Sequence, residues 1–407
     1  MSRHDAIIVG GGPAGLSCAR VLRERGVKDI VVLEREQEAG GVPRHCHHPG
    51  FGFSQFYWPY TGPAYAQRLR RDANGVDLRT TATVVALHPG GEIEIATPKN
   101  GLETIHGRTV LLATGIREAP RAARLVSGDR PPWGVLTTGA LQQLLHMTGI
   151  LPCRRPVIVG SEWVSFSALY TLRRAGIKPA AMIEEEDRIT APGPGAMIAR
   201  RAFGVPVLTG TQLIAIHGDA VVEAVEIECN GQRRRIACDA VIMTGRFVPE
   251  AALLHASHLE MDEGSGGPII DQHWRCSDPA YFAAGNVLRP IETSGVVGRE
   301  GEAAGHAMAA TLAGRLDAPT RRVPVTVSPP LRYVTPQIIA IPGDRPNDLL
   351  FRGRVNQPTR GTLRLLRNGD EVWRRTIHAL PEQRIQLPGK HVSLDGIESL
   401  EVRLGPS

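Results

Sequence analysis

The chain has 407 residues, 42% of them hydrophobic and 22% charged, which is the composition of an ordinary globular protein and too long for one core, so two or three domains are expected. The net charge of +6 comes almost wholly from arginines scattered along the chain, with lysine only at Lys28, Lys99, Lys178 and Lys390, and this spread argues against a nucleic-acid partner. No apolar run approaches bilayer length, and Met1-Ser2-Arg3-His4-Asp5 passes straight into a strand with no signal-peptide character, so no membrane span and a cytoplasmic location are expected.

Ala6-Ile7-Ile8-Val9 is long enough for one buried strand. Gly10-Gly11-Gly12-Pro13-Ala14-Gly15 follows as a complete G-x-G-x-x-G, Leu16 to Arg25 reads as a helix stopped by Gly26, and Ile30-Val31-Val32-Leu33 is a second strand ending in Glu34. Strand, glycine turn, helix, strand and acid in this order form a dinucleotide-binding fingerprint. Gly10 permits the tight turn, Gly12 leaves backbone bare for a pyrophosphate, and Gly15 lets helix and strand approach. The helix N-terminus then offers N–H groups to the diphosphate, and Glu34 accepts hydrogen bonds from a ribose.

The next segment, Arg35 to Phe53, is a loop rich in Gly, Pro and His. His45, Cys46, His47 and His48 suggest a metal, but neighbours in sequence rarely converge on one ion and no second ligand cluster is evident, so no metal is expected. Ala64 to Ala73 reads as a basic amphipathic helix, and 83–87, 92–95 and 103–105 as antiparallel strands turned at Gly90-Gly91 and Asn100-Gly101. Thr109 to Gly115 is a buried strand ending in Ala113-Thr114-Gly115.

The pattern then repeats. Pro156 to Gly160 is a strand, Val164 to Ala175 a helix, and Ala180 to Glu184 a strand ending in acid, with Glu184 as far from Gly160 as Glu34 is from Gly10. The second fingerprint is damaged: Glu162 stands at the second glycine and Ser165 at the third. A carboxylate where pyrophosphate needs bare backbone predicts that NAD(P) binds there weakly or not at all. Arg233-Arg234-Arg235 reads as a solvated hairpin end, and Phe247-Val248-Pro249-Glu250 closes the insertion. Asp278 to Val287 returns the chain to the first domain, followed by a helix over 300–312. The remainder, proline-rich over 323–346 and strand-like over 349–404 with a hairpin at Asn368-Gly369-Asp370, is expected to dock a partner. The six cysteines contain no C-x-x-C, so neither a redox dithiol nor a zinc or iron–sulfur site is encoded, and they are expected to be reduced.

These motifs resemble the pyridine nucleotide-disulfide reductase class, the glutathione- and thioredoxin-reductase-like flavoproteins. Gly10, Gly12, Gly15 and Glu34 match that class's first FAD motif, Thr109 to Gly115 its A-T-G motif, and Ala283-Ala284-Gly285-Asn286 its final A-x-G-D motif, with Asn286 in place of the acid. Gly40 to Gly52 and Phe247 to Glu250 are similar, more narrowly, to the alpha-type subunits of opine oxidase and hydroxyproline dehydrogenase. The cysteine-rich iron–sulfur segment of many such members has no counterpart in this sequence.

The resemblance implies an α/β fold of two Rossmann-like, three-layer ββα domains. FAD would bind residues 1–117 and 249–318, the inserted 118–248 would be a degenerate NAD(P)-binding-like domain, and 322–407 a small β-rich domain. It implies FAD contacts from Gly10, Gly12, Pro13, Ala14, Gly15, Glu34 and Arg35, and from Gly41, Val42, Ala113, Thr114, Gly115, Gly285 and Asn286. His45, Cys46 and His47 are the candidate catalytic residues facing the flavin. The expected function is an FAD-dependent oxidoreductase, a subunit of an amine or amino-acid (opine- or hydroxyproline-like) dehydrogenase complex that passes electrons through FAD, acting on a small molecule beside a second flavoprotein dehydrogenase subunit. The alternatives are a free-standing NAD(P)H-dependent flavin reductase, which Glu162 opposes, and a non-catalytic FAD-binding scaffold.

Overall fold

The computed structural model describes residues 2–191, 193, 195–341 and 349–406, so the end of the proline-rich stretch, 342–346, lies outside the described residues. Ser2–Val9 is the centre of the first sheet. It pairs in parallel with Ile30–Leu33 on one side and with 105–112 of the long strand Gly101–Leu112 on the other. Asp77–Arg79 and Tyr281–Ala283 extend the sheet at its two edges. Ile7, Ile8, Val31, Val32, Val110 and Leu111 are wholly buried, because both faces of the sheet are covered and each strand must therefore be a continuous apolar run.

One face is covered by Pro13–Glu24 and Ser294–Leu312, with Gly62–Asp72 alongside. The first two helices nearly touch: a Cβ on Gly301 would lie 2.1 Å from the Ala14 carbonyl oxygen. The other face is covered by a meander of Thr83–Leu87, Glu92–Thr97 and the first half of Gly101–Leu112. Its alternation turns Ile93, Ile95 and Ile105 onto Ile7, Val9, Val31 and Leu33. Helices, parallel sheet and meander make the three layers expected from the sequence.

The inserted region repeats this plan. Val135–Thr137, Ala240–Met243, Pro156–Val159, Ala181–Ile183 and Val207–Leu208 form an all-parallel sheet. Trp163–Arg174 covers one face, and a sheet of Thr211–His217, Ala224–Cys229 and Gln232–Ala237 covers the other. Arg233 to Arg235 lie within that last strand and not at a hairpin end. Asn230 and Gly231 make the turn with positive φ, and the arginines line an exposed edge that their charge protects from further pairing. The insertion joins the first domain through a two-stranded ribbon in which Ile116–Glu118 pairs with Phe247–Pro249.

Local chemistry also moves some helix ends. The first helix begins at Pro13, because Gly12 is its N-cap and proline suits the first helical position, where no N–H is required. The last helix of the first domain begins at Ser294, six residues ahead of the sequence expectation, since its glycine-rich first turns are held by packing.

The C-terminal region is a sandwich of a five-stranded and a three-stranded sheet, and its Asn368-Gly369 hairpin joins Thr359–Arg367 to Asp370–Ala379. Phe351, Leu363, Leu365, Leu387 and Val402 fill the space between the sheets. The sandwich is fastened to the first domain. The Gln272 amide exchanges hydrogen bonds with the Ala340 backbone at 2.8 and 3.0 Å, and Arg352 and Arg384 reach the buried Glu300 and Glu292. Among the described residues no helix is long and apolar enough to cross a membrane.

Candidate functional site

The first glycine turn sits where Ser2–Val9 hands over to Pro13–Glu24. Gly10 has φ of +108°, and a Cβ there would lie 2.4 Å from the Ala113 carbonyl oxygen. A Cβ on Gly15 would lie 1.9 Å from the Gly10 carbonyl oxygen, so the chain itself demands both glycines. Gly12 is different. Its φ of −84° suits any residue, and the nearest atom to an added Cβ is Gly41 Cα at 3.9 Å. The protein leaves Gly12 bare without a packing need, and the space above it is a cradle at a helix N-terminus that no side chain caps.

Glu34 is buried at the end of its strand and accepts from Gly11 N (3.0 Å) and Glu36 N (2.9 Å). The following loop packs under the turn, with Gly40 N donating to Gly11 O at 2.7 Å and Gly41 against Gly12. Arg44 pairs with Glu36, whereas Arg35 extends outward and lies 3.9 Å from Glu250. Beyond the central strands, Ala113 N donates to Val9 O, the Thr114 hydroxyl donates to Glu250 O at 2.7 Å, and Gly115, with φ of +80°, has nothing above it. Gly285 packs on Ala14 and Val297. The Asn286 amide closes its own loop, accepting from Glu292 N at 2.7 Å and donating to Glu292 O at 3.2 Å, which leaves it one N–H and one lone pair. Gly10 to Gly15, Glu34, Gly41, Val42, Ala113 to Gly115 and Gly285 thus converge on one end of the parallel sheet. The donor set and the open cradle fit a dinucleotide.

The candidate catalytic residues are placed differently from a free proton relay. His45 is buried with Nε2 unpartnered, and burial, helped by the Arg44 charge, pushes it down to about 4. Burial thus disfavours its proton and makes it a weak base near pH 7. Cys46 is also buried. Its thiol donates to Gln142 Oε1 at 3.1 Å, and burial, with the Glu118 charge, raises it to about 12, so it is not a thiolate nucleophile. His47 stacks on His146 at 3.9 Å with planes 8° apart, lowered by burial and by Arg174. Gln142 and His146 belong to the inserted domain, where Gln142 also donates to Ser167 at 2.7 Å. The loop therefore latches one domain to the other. Gln142, His146 and Glu118 lie far from the loop in sequence, follow no motif spacing with it, and gave no signal. All six cysteines are free. Among the described residues no group of His, Cys, Asp or Glu side chains converges as a metal site requires.

The second turn copies the framework and fills the cradle. Gly160 N bonds Ile183 O at 2.9 Å, as Gly10 N bonds Leu33 O at 2.9 Å. Glu184 accepts from Glu186 N and from the Ser161 hydroxyl. The Ser165 hydroxyl bonds Thr244 at 2.7 Å, so the third glycine's place holds a side chain with a partner. Glu162 folds back over the turn between Gly160 and Gly245.

The family described as Pyridine nucleotide-disulphide oxidoreductase matches residues 4–311, well over half of the chain. The alpha subunit of sarcosine oxidase from Rhizobium meliloti (strain 1021) is 27% identical over 313 residues, covering 72% of this chain and 28% of that one. One of the opine oxidase subunits of the same organism is 26% identical over 313 residues, covering 70% of this chain and 67% of its own length. The chain thus spans little more than a quarter of the first relative. Among solved structures, thioredoxin reductase of T. acidophilum aligns with a TM-score of 0.64 and 20% identity, over 76% of this chain and 99% of that one, a likeness of fold.

Proposed function

The chain belongs to the pyridine nucleotide-disulphide oxidoreductase family, and we propose that it is an FAD-dependent oxidoreductase working as one subunit of an amine or amino-acid dehydrogenase complex of the opine- or hydroxyproline-oxidising kind. The observation that carries the flavin reading is the cradle at Gly12, which is open although nothing in the protein forbids a side chain there. The subunit reading is supported by the two relatives, each of which is one subunit of an oxidase.

When bound, FAD supplies the redox chemistry, taking a hydride equivalent from a small molecule or electrons from a second flavoprotein subunit. The chain's residues bind and orient. The helix starting at Pro13 holds the diphosphate by its free N–H groups, Glu34 offers its remaining lone pairs to the ribose, and Gly41 and Val42 line the cofactor's edge. Thr114 and Gly115 bring the returning ribbon to the same place, and Asn286 meets the cofactor's hydroxyls with its one free N–H. Buried His45 and Cys46 exclude water from beneath the loop, and burial disfavours the charged form of each. Substrate acid–base groups then belong to the partner subunit. The FAD-binding unit comprises 1–117 and 249–318, the insertion 118–248 and the sandwich 322–407, limits supported by the ribbon at 116–118 and 247–249. The working compartment is the cytoplasm.

The test is the absorbance spectrum of the purified chain after incubation with FAD and gel filtration. One flavin per chain is expected, together with co-purification of a second flavoprotein from its native source. A chain that retains no flavin sinks the reading. A flavoprotein that stays alone and oxidises an amino acid unaided replaces the subunit role with a free enzyme.

A further inference from the structure

We infer that the inserted domain is closed to NAD(P)H by Glu162, whose own carboxyl group occupies the pyrophosphate cradle of the second glycine turn. The two turns can be superposed through their hydrogen bonds. Ala113 N meets Val9 O just as Thr244 N meets Val159 O, which makes Gly10 the counterpart of Gly160, Gly12 of Glu162, and Thr114 of Gly245. Space that is empty above Gly12 is filled in the second turn. A Cβ on Gly160 would lie 2.7 Å from Glu162 Oε2, and one on Gly245 only 1.9 Å from Glu162 Oε1. The side chain is therefore laid across both strands' ends, where a diphosphate has to lie.

Three further features agree. Glu162 Oε1 is buried with no hydrogen-bond partner, the state of an acid held in a confined space and not of a surface carboxylate. Arg124, whose charge acts on the Glu162 carboxyl, is already spent on the carbonyl oxygens of Ala119, Thr244 and Gly245, at 2.8 to 2.9 Å, so it does not reach out to a phosphate. Glu184, the acid that would receive the ribose, takes the Ser161 hydroxyl, which is held by Thr190 as well. Burial raises the Glu162 carboxyl above the usual range; the plug acts first by its bulk, and when ionised it also repels phosphate. The residues present do not fit a nicotinamide dinucleotide, and electrons reach the flavin by another route.

The inference does not depend on the flavin reading, because flavin content is measured separately by absorbance. The experiment is calorimetric titration of NADH into the full chain and into Glu162→Gly and Glu162→Gln. Glu162 is an N-cap that makes no side-chain capping bond, and glycine is accepted at N-caps, so the glycine variant keeps its helix, verified by circular dichroism. We expect no saturable binding by the wild type, binding by Glu162→Gly at least ~10-fold tighter, and no gain from Glu162→Gln, which has the same bulk without the charge. Saturable wild-type binding equal to that of Glu162→Gly overturns the inference. So does a folded Glu162→Gly that binds no better, or a glutamine variant that opens the site as fully as glycine.

Discussion

The two glycine turns of this chain share a backbone and differ in what lies above it. Both end a central parallel strand, both are tied to the next strand by an equivalent hydrogen bond, and both place an acid, Glu34 or Glu184, within reach of the turn. The first keeps glycine at 12 with open space over it, and the second has Glu162 folded into that space. The fold is held by buried apolar strands and a packed helix, which tolerate loss of the ligand, whereas the ligand depends on one missing side chain. A Rossmann-like framework can therefore persist with the space over its turn filled.

The largest effect should come from carrying the plug into the first turn. In Gly12→Glu the backbone accepts the residue, but a carboxylate about 4 Å from a diphosphate costs roughly 4 kcal/mol at intermediate dielectric, about a 1000-fold loss of flavin affinity. Gel-filtered protein should be colourless with an unchanged circular dichroism spectrum, and a variant that keeps its flavin would show that the cradle is not the binding site. Gly15→Ser makes the second turn's other change in the first. Its Cβ meets the Gly10 carbonyl at 1.9 Å, so helix and strand must part, at about 3 kcal/mol. A melting temperature within a degree of wild type would mean that the two turns pack alike.

The latch between the two regions offers a test by pH. The folded state holds His45 at about 4 against an ordinary 6.5, so folding disfavours its proton. The stability this contributes is complete above pH 6.5 and is lost as pH falls from 6.5 towards 4, at most about 3 kcal/mol. His45→Gln should flatten the dependence of melting temperature on pH across that window, and an unchanged slope would remove His45 from the account. The smallest effect is expected of Ser165→Gly, which loses one buried hydrogen bond to Thr244, about 1 kcal/mol in chemical denaturation. A loss of several kcal/mol would mean that Ser165 holds the second turn together.

Much of the fold was legible because its signals are local. Strand, turn, helix, strand and acid occupy 29 consecutive positions, 6 to 34, and the repeat near 160 follows the same spacing. The contacts of the loop at 42–48 were not legible. Cys46 meets Gln142, 96 residues away, and His47 meets His146 across the domain boundary. Such pairs depend on how the ribbon orients the insertion, and no periodicity records that. A second case is Glu300, which holds buried Arg289 and is reached by Arg352 from the sandwich, a meeting set by how the sandwich docks and by no local pattern.

What the sequence determined by itself is the pair of three-layer domains, the open first turn and the presence of an acid at the second, since runs of apolar residues and glycines at set intervals act on neighbouring backbone. Only the tertiary structure decided that Glu162 turns inward over Gly160 and Gly245, and that the histidine loop packs against the insertion as a latch. Side-chain direction and burial arise when distant segments close around a residue, and it is that enclosure which sets its charge.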